Sequence, residues 1–171
     1  MCELSTPLLS SPAAVVTKML EVAEVGPEDV VYDLGCGDGR ILIAAVELFN
    51  AKEAVGYENR EDVYDEALQN VAKRHLSKKI RVTNDDFLRA DLSRATVITY
   101  YLDSFADRKL KAKLEEETSP GTRIVSHDFS MPGWRPRLAC SFQENKNLHT
   151  IYLYAVPESF STVGVGGFYA S

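Results

Sequence analysis

Cysteine and histidine are scarce in this sequence, with three of each among 171 residues. They are scattered along the chain at Cys2, Cys36, Cys140, His75, His127 and His149. Because no pair has the spacing usual for metal ligands, we expect no metal site. An odd number of cysteines without a secretory signal indicates reduced thiols, so we expect a cytoplasmic protein.

Basic residues are also fewer than acidic residues. There are 19 Lys and Arg residues against 25 Asp and Glu residues, a formal net charge of −6 at pH 7. Since binding to phosphates requires a basic surface, we expect no stable binding of nucleic acid. No apolar run approaches the ~18–20 residues that span a bilayer, and no basic residue precedes Lys18. We expect neither a membrane anchor nor a signal or transit peptide.

Glycine, by contrast, is concentrated at one point. A short apolar run that ends at Leu34 is followed by Gly35, Gly37 and Gly39, and a helical apolar pattern begins at Ile41. A strand, a glycine turn and a helix in this order are typical of the nucleotide-handling corner of a doubly wound α/β fold. With 171 residues, the chain is predicted to form a single domain over residues 1–171.

The glycine spacing argues against a dinucleotide. The pyrophosphate fingerprint has glycines at its first, third and sixth positions, whereas Arg40 occupies the sixth position here. Asp38 is predicted to be the N-cap of the following helix, and it places a carboxylate where a phosphate would bind. S-adenosylmethionine, which has no phosphate, is the favoured cofactor. Asp33 and the loop backbone could bind its amino acid end.

Two later strand ends supply the rest of an adenosine site. Glu58 ends the second predicted strand, where such folds place the acid that binds the ribose hydroxyls. Asp86 and Phe87 follow the third strand, where a carboxylate could accept from the adenine amine and a ring could stack on the base. Asp85 is an adjacent alternative to Asp86, and we favour Asp86.

The rest of the chain alternates between predicted strands and helices. Ser11 as N-cap and Pro12 at the first helical position predict a helix that ends near residue 25. The predicted strands cover 30–34, 53–58, 79–83, 96–102, 122–128, 138–143 and 148–156. We expect a Rossmann-like, doubly wound seven-stranded sheet that is mostly parallel and ends in an antiparallel hairpin. Residues 1–11 form a lead, and the tail over 160–171 is a candidate for disorder.

The end of the fourth strand must lie beside the glycine loop if the sheet is doubly wound. Tyr100, Tyr101 and Asp103 are therefore the candidates closest to a transferred group. Tyr101 is our candidate for holding an amine in line with a methyl group. The alternative is that Tyr101 only forms a wall of the pocket.

Several motifs together point to a family. They are residues 31–41, Glu58, Asp86-Phe87, Tyr101-Leu102, residues 120–129 and residues 132–134. With these motifs the chain resembles the archaeal-type, broad-specificity protein-lysine methyltransferases, which are class I, seven-β-strand enzymes related to the eukaryotic mitochondrial protein-lysine methyltransferases.

The resemblance implies S-adenosylmethionine as cofactor and lysine-containing proteins as substrates. It implies cofactor contacts at Asp33, Gly35, Gly37, Glu58 and Asp86, and we assign Asp38 and Phe87 to the cofactor site as well. It also implies a substrate channel between the lead and Tyr101, and we assign Ser11, Pro12, Tyr101, His127 and Trp134 to the substrate site.

The predicted function is transfer of methyl groups to the side-chain amine of lysine. A methyltransferase acting on RNA or a small molecule, or a non-catalytic module that binds S-adenosylmethionine, remain alternatives. Enzymes that methylate exocyclic amines of nucleobases carry an Asn/Asp-Pro-Pro-Phe/Tyr turn after the fourth strand, whereas this chain has Tyr101-Leu102-Asp103-Ser104. Cytosine-C5 enzymes need a cysteine near this strand, and none of the three is there.

Overall fold

The computed structural model describes residues 10–102 and 107–160. The predictions for residues 1–9, for Asp103 and for the tail from residue 161 therefore lie outside the described residues. The strands are β1 (Val30–Leu34), β2 (Glu53–Tyr57), β3 (Ile80–Thr83), β4 (Val97–Tyr100), β5 (Arg123–His127), β6 (Leu138–Glu144) and β7 (Asn147–Ala155). The helices are α1 (Ala13–Val22), α2 (Arg40–Glu47), α3 (Glu61–Lys73) and α4 (Asp107–Glu117), with 3₁₀ turns at Phe87–Arg89 and Glu158–Phe160.

The strands form one seven-stranded sheet in the order β3-β2-β1-β4-β5-β7-β6. The pairs among β1 to β5 are parallel, and β7 lies antiparallel between β5 and β6. The predicted fold class is therefore confirmed. The strand order reverses between β1 and β4, and their carboxyl ends open a crevice there, where ligands bind in such sheets.

Both faces of the sheet are covered, which explains why all five residues of β1 are buried and why Asp33 is the one charged residue among them. Residues of α1, α2 and α3 form a core on one face. On the other face, Leu110 and Leu114 of α4 are fully buried, as their spacing predicts. No helix among the described residues is both long and apolar enough to cross a membrane.

The two predicted N-caps are wrong. The N-cap of α1 is Pro12, without a side-chain hydrogen bond, because the hydroxyl of Ser11 pairs with His127 instead. The N-cap of α2 is Gly39, at a φ of 82° that suits glycine. Asp38 lies one residue before that N-cap. Its Oδ1 still accepts from the backbone N–H of Arg40, the first residue of α2, at 3.2 Å, and its carboxylate also binds the Arg40 side chain.

The glycine at position 56 in β2 lets the loop after β1 lie close to the sheet. A Cβ atom at Gly56 would lie 2.6 Å from Sγ of Cys36 and 2.6 Å from Cδ1 of Leu42. Cys36 belongs to the glycine loop and Leu42 to α2, and both are buried. The loop and its helix therefore rest on β2 through a contact that has no room for a methyl group.

We expect Gly56→Ala to lower the free energy of unfolding by ~1–3 kcal/mol, the usual cost of overpacking a filled core. Urea unfolding followed by circular dichroism measures this loss. Gly26→Ala is the matched control, because a Cβ atom at Gly26 would have no atom within 4 Å. Equal stabilities of the two variants would contradict the close contact of the loop with β2.

Candidate functional site

A cleft lies at the carboxyl ends of β1 and β4, as the strand order requires. Its lining residues are Ser10, Ser11, Asp33, Gly35, Cys36, Gly37, Asp38, Arg40, Ile41 and Tyr101. Six of the predicted site residues meet in this lining: Ser11, Asp33, Gly35, Gly37, Asp38 and Tyr101. Sequence reasoning missed the contributions of Ser10, Cys36, Arg40 and Ile41, although Arg40 and Ile41 directly follow the glycines.

The glycine loop is fixed by hydrogen bonds to the end of β2. The backbone N–H groups of Gly35 and Cys36 both donate to the carbonyl of Tyr57, each at 2.9 Å. Gly35 and Gly37 have φ angles of 80° and 55°, in the left-handed region that glycine adopts readily. The glycine pattern therefore serves to turn the chain sharply while its backbone stays against β2.

Glu58 lies directly behind this loop. Its Oε2 accepts from the N–H of Gly37 at 3.1 Å, and its Oε1 accepts from the N–H of Arg60 at 3.0 Å. The side chain is buried, with 7% exposure. Because each carboxylate oxygen can accept two hydrogen bonds, both oxygens keep capacity for a ligand hydroxyl.

Asp33 is the most deeply buried acid of the cleft, with 3% exposure. Burial raises the pKa of its carboxyl to about 7, the charges of Glu58 and Asp38 add to the rise, and a hydrogen bond from Thr99 opposes it. That bond joins Oγ1 of Thr99 to Oδ1 of Asp33 at 2.7 Å. Thr99 stands opposite Asp33 in the β1–β4 register. A threonine in a buried apolar strand was the sequence signal for this partner.

Arg40 forms an ion pair with Asp38 at the mouth of the cleft. Its Nε and Nη2 donate to the Asp38 carboxylate at 2.9 and 2.7 Å, which holds the pKa of Asp38 below its usual range. Its Nη1 donates to the carbonyl of Ser11 at 2.9 Å. Arg40 therefore ties the segment before α1 to the glycine loop. It is the only cation among the described lining residues.

This donor set fits S-adenosylmethionine. The carboxyl groups of Asp33 and Asp38 line the cleft and that of Glu58 lies behind its loop, while the single cation of the lining is already paired with Asp38. Such a cleft favours a ligand that carries positive charge over one that carries phosphates. The amino group and the sulfonium of S-adenosylmethionine supply that positive charge.

The adenine side of the predicted site is less enclosed. Asp86 is exposed and its Oδ1 accepts from the N–H of Leu88 at 2.9 Å, so it caps the 3₁₀ turn at Phe87–Arg89. Phe87 is half-buried and packs against the core on the α4 face. Asp85 pairs with Arg89 at 3.5 Å. Contacts of Asp86 and Phe87 with adenine stay predictions.

Tyr101 forms one wall of the cleft, and its neighbour Tyr100 is buried in the core instead. The ring centroid of Tyr101 lies 4.0 Å from that of His127. Burial raises the pKa of the Tyr101 hydroxyl, and the charge of Asp128 and a hydrogen bond to it raise it further. The hydroxyl therefore stays protonated at neutral pH and donates a hydrogen bond to Asp128.

His127 lies behind Tyr101 and is 1% exposed. Its Nδ1 is 2.8 Å from Oγ of Ser11, and its Nε2 is 2.9 Å from Nδ1 of His149. Burial lowers the pKa of His127 to about 4, so its ring is neutral at pH 7. His127 supports Ser11 and Tyr101 from behind. Residue spacing did not predict that His149 and Asp128 lie beside His127.

Pro12 and Trp134 are the other two predicted substrate residues. Like His127, they are not among the described residues that line the cleft. Pro12 is half-buried at the start of α1. Trp134 is buried in the core on the α4 face, where its Nε1 donates to Glu115 at 2.7 Å and its ring contacts Tyr154. Trp134 thus has structural partners, and a substrate role for it stays a prediction.

The chain is similar in sequence to known methyltransferases. The family model of the ANTKMT methyltransferase domain matches residues 33–138. A protein-lysine N-methyltransferase from Saccharolobus islandicus (strain REY15A) is 43% identical over 89% of this chain and 94% of its own length. The adenine nucleotide translocase lysine N-methyltransferase of Mus musculus is 29% identical, and the match covers 78% of this chain but only 57% of that relative.

A similar solved structure is that of an RNA methyltransferase from Salinibacter ruber in complex with S-adenosyl-L-homocysteine. It is 39% identical with a TM-score of 0.82, and the match covers 88% of this chain and 95% of that one. The bound molecule is the product that S-adenosylmethionine leaves after giving up its methyl group. The cofactor prediction is therefore confirmed at the level of these relatives.

The pKa of Asp33 leads to a pH-dependent stability. Since its folded-state value of about 7 lies above the ordinary 3.8, the unfolded chain ionises first as the pH rises. The contribution of Asp33 to the free energy of unfolding is therefore fully present below about pH 4 and is lost as the pH rises to about 7. We expect Asp33→Asn to gain stability relative to the wild type across this range, by roughly 4 kcal/mol.

Urea unfolding of the cofactor-free wild type and of Asp33→Asn, at several values from pH 4 to pH 8, measures this difference. The asparagine oxygen can still accept from Thr99, so the comparison isolates the ionisation of residue 33. A difference in unfolding free energy that does not change with pH would contradict the raised pKa.

Proposed function

Because the chain belongs to the ANTKMT methyltransferase domain family, we propose that it transfers methyl groups from S-adenosylmethionine to lysine side chains of proteins. The observation that carries this proposal is the 43% identity to a protein-lysine N-methyltransferase, over 94% of that relative's length. The acidic cleft beside the glycine loop supports the choice of methyl donor, and Tyr101 at its wall supports an amine as acceptor.

The residues proposed to hold the cofactor are Asp33, Glu58, Asp86 and the backbone of Gly35 and Gly37. When bound, S-adenosylmethionine supplies a methyl group that is activated by attachment to a sulfonium cation. The two buried acids, Asp33 and Glu58, offset positive charge in the cleft. The loop is already held against β2 and the Glu58 carboxylate is held by the loop, so little reorganisation accompanies binding.

A lysine substrate must lose a proton before its nitrogen can accept a methyl group. With an ordinary pKa of ~10.4, the neutral amine costs about 4.6 kcal/mol at pH 7. Desolvation lowers the pKa of an amine, because burial disfavours its charged form. The ring of Tyr101 and the side chain of Ile41 provide apolar surface at the cleft for this purpose.

Tyr101 is proposed to orient the neutral amine. Its hydroxyl proton is directed to the carboxylate of Asp128, which leaves the lone pairs of Oη free to accept an N–H of the lysine. An amine held by one N–H can point its own lone pair in a fixed direction. Positioning of this kind is the main contribution that the protein can make to an in-line displacement.

Methylation of RNA is the competing activity, because the 39% identical structure from Salinibacter ruber is described as an RNA methyltransferase. The net charge of −6 weighs against a polyanionic substrate. The one cation that lines the cleft in the described residues, Arg40, is bound to Asp38. We therefore favour the protein substrate.

A single domain and a cytoplasmic location are parts of the same proposal. One sheet runs through the described residues, with helices on both of its faces. Cys36 and Cys140 are free thiols, and burial raises the pKa of Cys36. Unpaired, unreactive thiols suit a reducing compartment.

Incubation of the chain with isotopically labelled S-adenosylmethionine and a lysine-rich protein mixture tests the proposed function. We expect label on lysine nitrogens, mapped by mass spectrometry, and no label in RNA that is offered in parallel. Label in RNA but not in protein would establish the competing activity. Binding of the cofactor without transfer to either acceptor would identify a non-catalytic module.

The role of Tyr101 is tested by Tyr101→Phe, which keeps the ring against His127 and removes the hydroxyl. We expect the single-turnover rate to fall about tenfold, since a lost hydrogen bond of ~1.4 kcal/mol corresponds to that factor. Tyr64→Phe on α3 is a control for loss of a hydroxyl outside the cleft. A rate for Tyr101→Phe within about twofold of the wild type would assign Tyr101 to the pocket wall alone.

A further inference from the structure

We propose that His127, Asp128 and His149 form a binding site for a divalent transition metal, with Zn²⁺ as the preferred ion. Their side chains come from two strands that are neighbours in the sheet but distant in sequence. Asp128 follows β5 directly, and its backbone N–H donates to the carbonyl of Thr150 in β7 at 2.7 Å. This antiparallel pairing places His149 diagonally across from His127, which is within reach of two imidazole rings.

Three ligand atoms converge at this point. Nε2 of His127 is 2.9 Å from Nδ1 of His149 and 3.2 Å from Oδ2 of Asp128. Nδ1 of His149 is 3.6 Å from the same Oδ2. In a tetrahedral zinc site with bonds of ~2.0–2.1 Å, neighbouring ligand atoms lie ~3.3–3.4 Å apart. The three separations bracket this value, so a small shift of side chains would give three ligands of one ion.

Two of the ligands are oriented as metal ligands usually are. A histidine that binds a metal donates its other ring N–H to an oxygen, and Nδ1 of His127 lies 2.8 Å from the Oγ of Ser11. With the proton of that bond on Nδ1 of His127, the Nε2 lone pair faces the cluster. In Asp128, Oδ1 accepts from the N–H of Thr150 at 2.8 Å, which directs Oδ2 toward the histidines.

Without a cation, the contact between the two histidines depends on one proton. The Tyr101 hydroxyl donates to Asp128, and with the His127 proton on Nδ1 the 2.9 Å contact between the two rings needs an N–H on Nδ1 of His149. Nε2 of His149 is buried without a hydrogen-bond partner among the described residues, so no bond there fixes the proton on Nδ1. A bound cation would satisfy all three converging lone pairs.

The ligand set selects the class of ion. Two imidazole nitrogens and one carboxylate suit Zn²⁺, Co²⁺ and Ni²⁺, whereas Mg²⁺ and Ca²⁺ prefer oxygen ligands. His127 and His149 are buried, at 1% and 8% exposure, while the Asp128 side chain is 27% exposed. The exposed side at Asp128 gives an ion its path of entry and a position for a fourth ligand from solvent.

The site would connect three parts of the fold. An ion held by His127 and His149 would clamp β5 to β7. Through the bond from His127 to Ser11, the same ion would fix the segment before α1 at the edge of the cofactor cleft. This proposal does not depend on the proposed methyl transfer, and metal binding is measured without an activity assay.

The test is titration of the tag-free, chelator-treated chain with Zn²⁺ by calorimetry, and with Co²⁺ followed by its visible absorption. We expect one saturable site per chain. Asp128→Asn is the principal variant, because asparagine tolerates the φ of 60° at this position and can keep the bond from Thr150. It should weaken binding at least tenfold, and His149→Gln should do the same. Ser11→Ala should weaken binding about tenfold through the orientation of His127.

His75→Asn is the control, because His75 is the remaining histidine, is exposed and also has a positive φ. Its affinity for Zn²⁺ should equal that of the wild type. Absence of a saturable site in the wild type would overturn the proposal, and so would unchanged binding by both Asp128→Asn and His149→Gln. Circular dichroism of each variant separates loss of ligands from loss of fold.

Discussion

The attachment of the glycine loop to the end of β2 is the constraint on which the cleft depends. One carbonyl, that of Tyr57, accepts from both Gly35 and Cys36, and Glu58 accepts from Gly37. The absence of a side chain at Gly56 allows this approach. Because strand, loop and helix meet within a few residues, Asp33 of β1 and Glu58 after β2 are brought close to the same loop. The cofactor site is in this sense a property of the β1–β2 pair.

Acidic side chains that lie close together repel one another, and hydrogen bonds and one ion pair offset part of this repulsion. Asp38 is paired with Arg40, and Glu58 is bound to two backbone N–H groups. Among the described residues Asp33 has Thr99 as its one side-chain hydrogen-bond partner, and burial raises its pKa to about 7. Such partial compensation suits a site whose ligand brings positive charge of its own. A fully neutralised set of acids would have little left to attract a sulfonium.

Sequence patterns predicted what depends on near neighbours along the chain. The strands, the positive φ angles of the loop and the acid after β2 follow from apolar runs, glycine spacing and the length of a βαβ unit. The errors concern side chains with a choice of partners. Ser11 was predicted to cap α1 but pairs with His127, 116 residues away, and Asp38 was predicted to cap α2 but binds Arg40. Propensity describes what a capping residue can do at the end of its own helix. It includes neither a competing partner in another strand, as for Ser11, nor an ion pair with a side chain of the next turn, as for Asp38.

The clearest case of such long-range placement is the insertion of β7 between β5 and β6. A parallel strand beside β5 would align its carboxyl end with that of β5. The antiparallel direction of β7 instead brings an early residue of that strand, His149, to the carboxyl end of β5, where His127 and Asp128 lie. The hairpin thus extends the polar edge of the sheet from the cofactor cleft to a histidine cluster behind Tyr101. The order of the strands in the sheet, which residue spacing does not reveal, decides which side chains can meet.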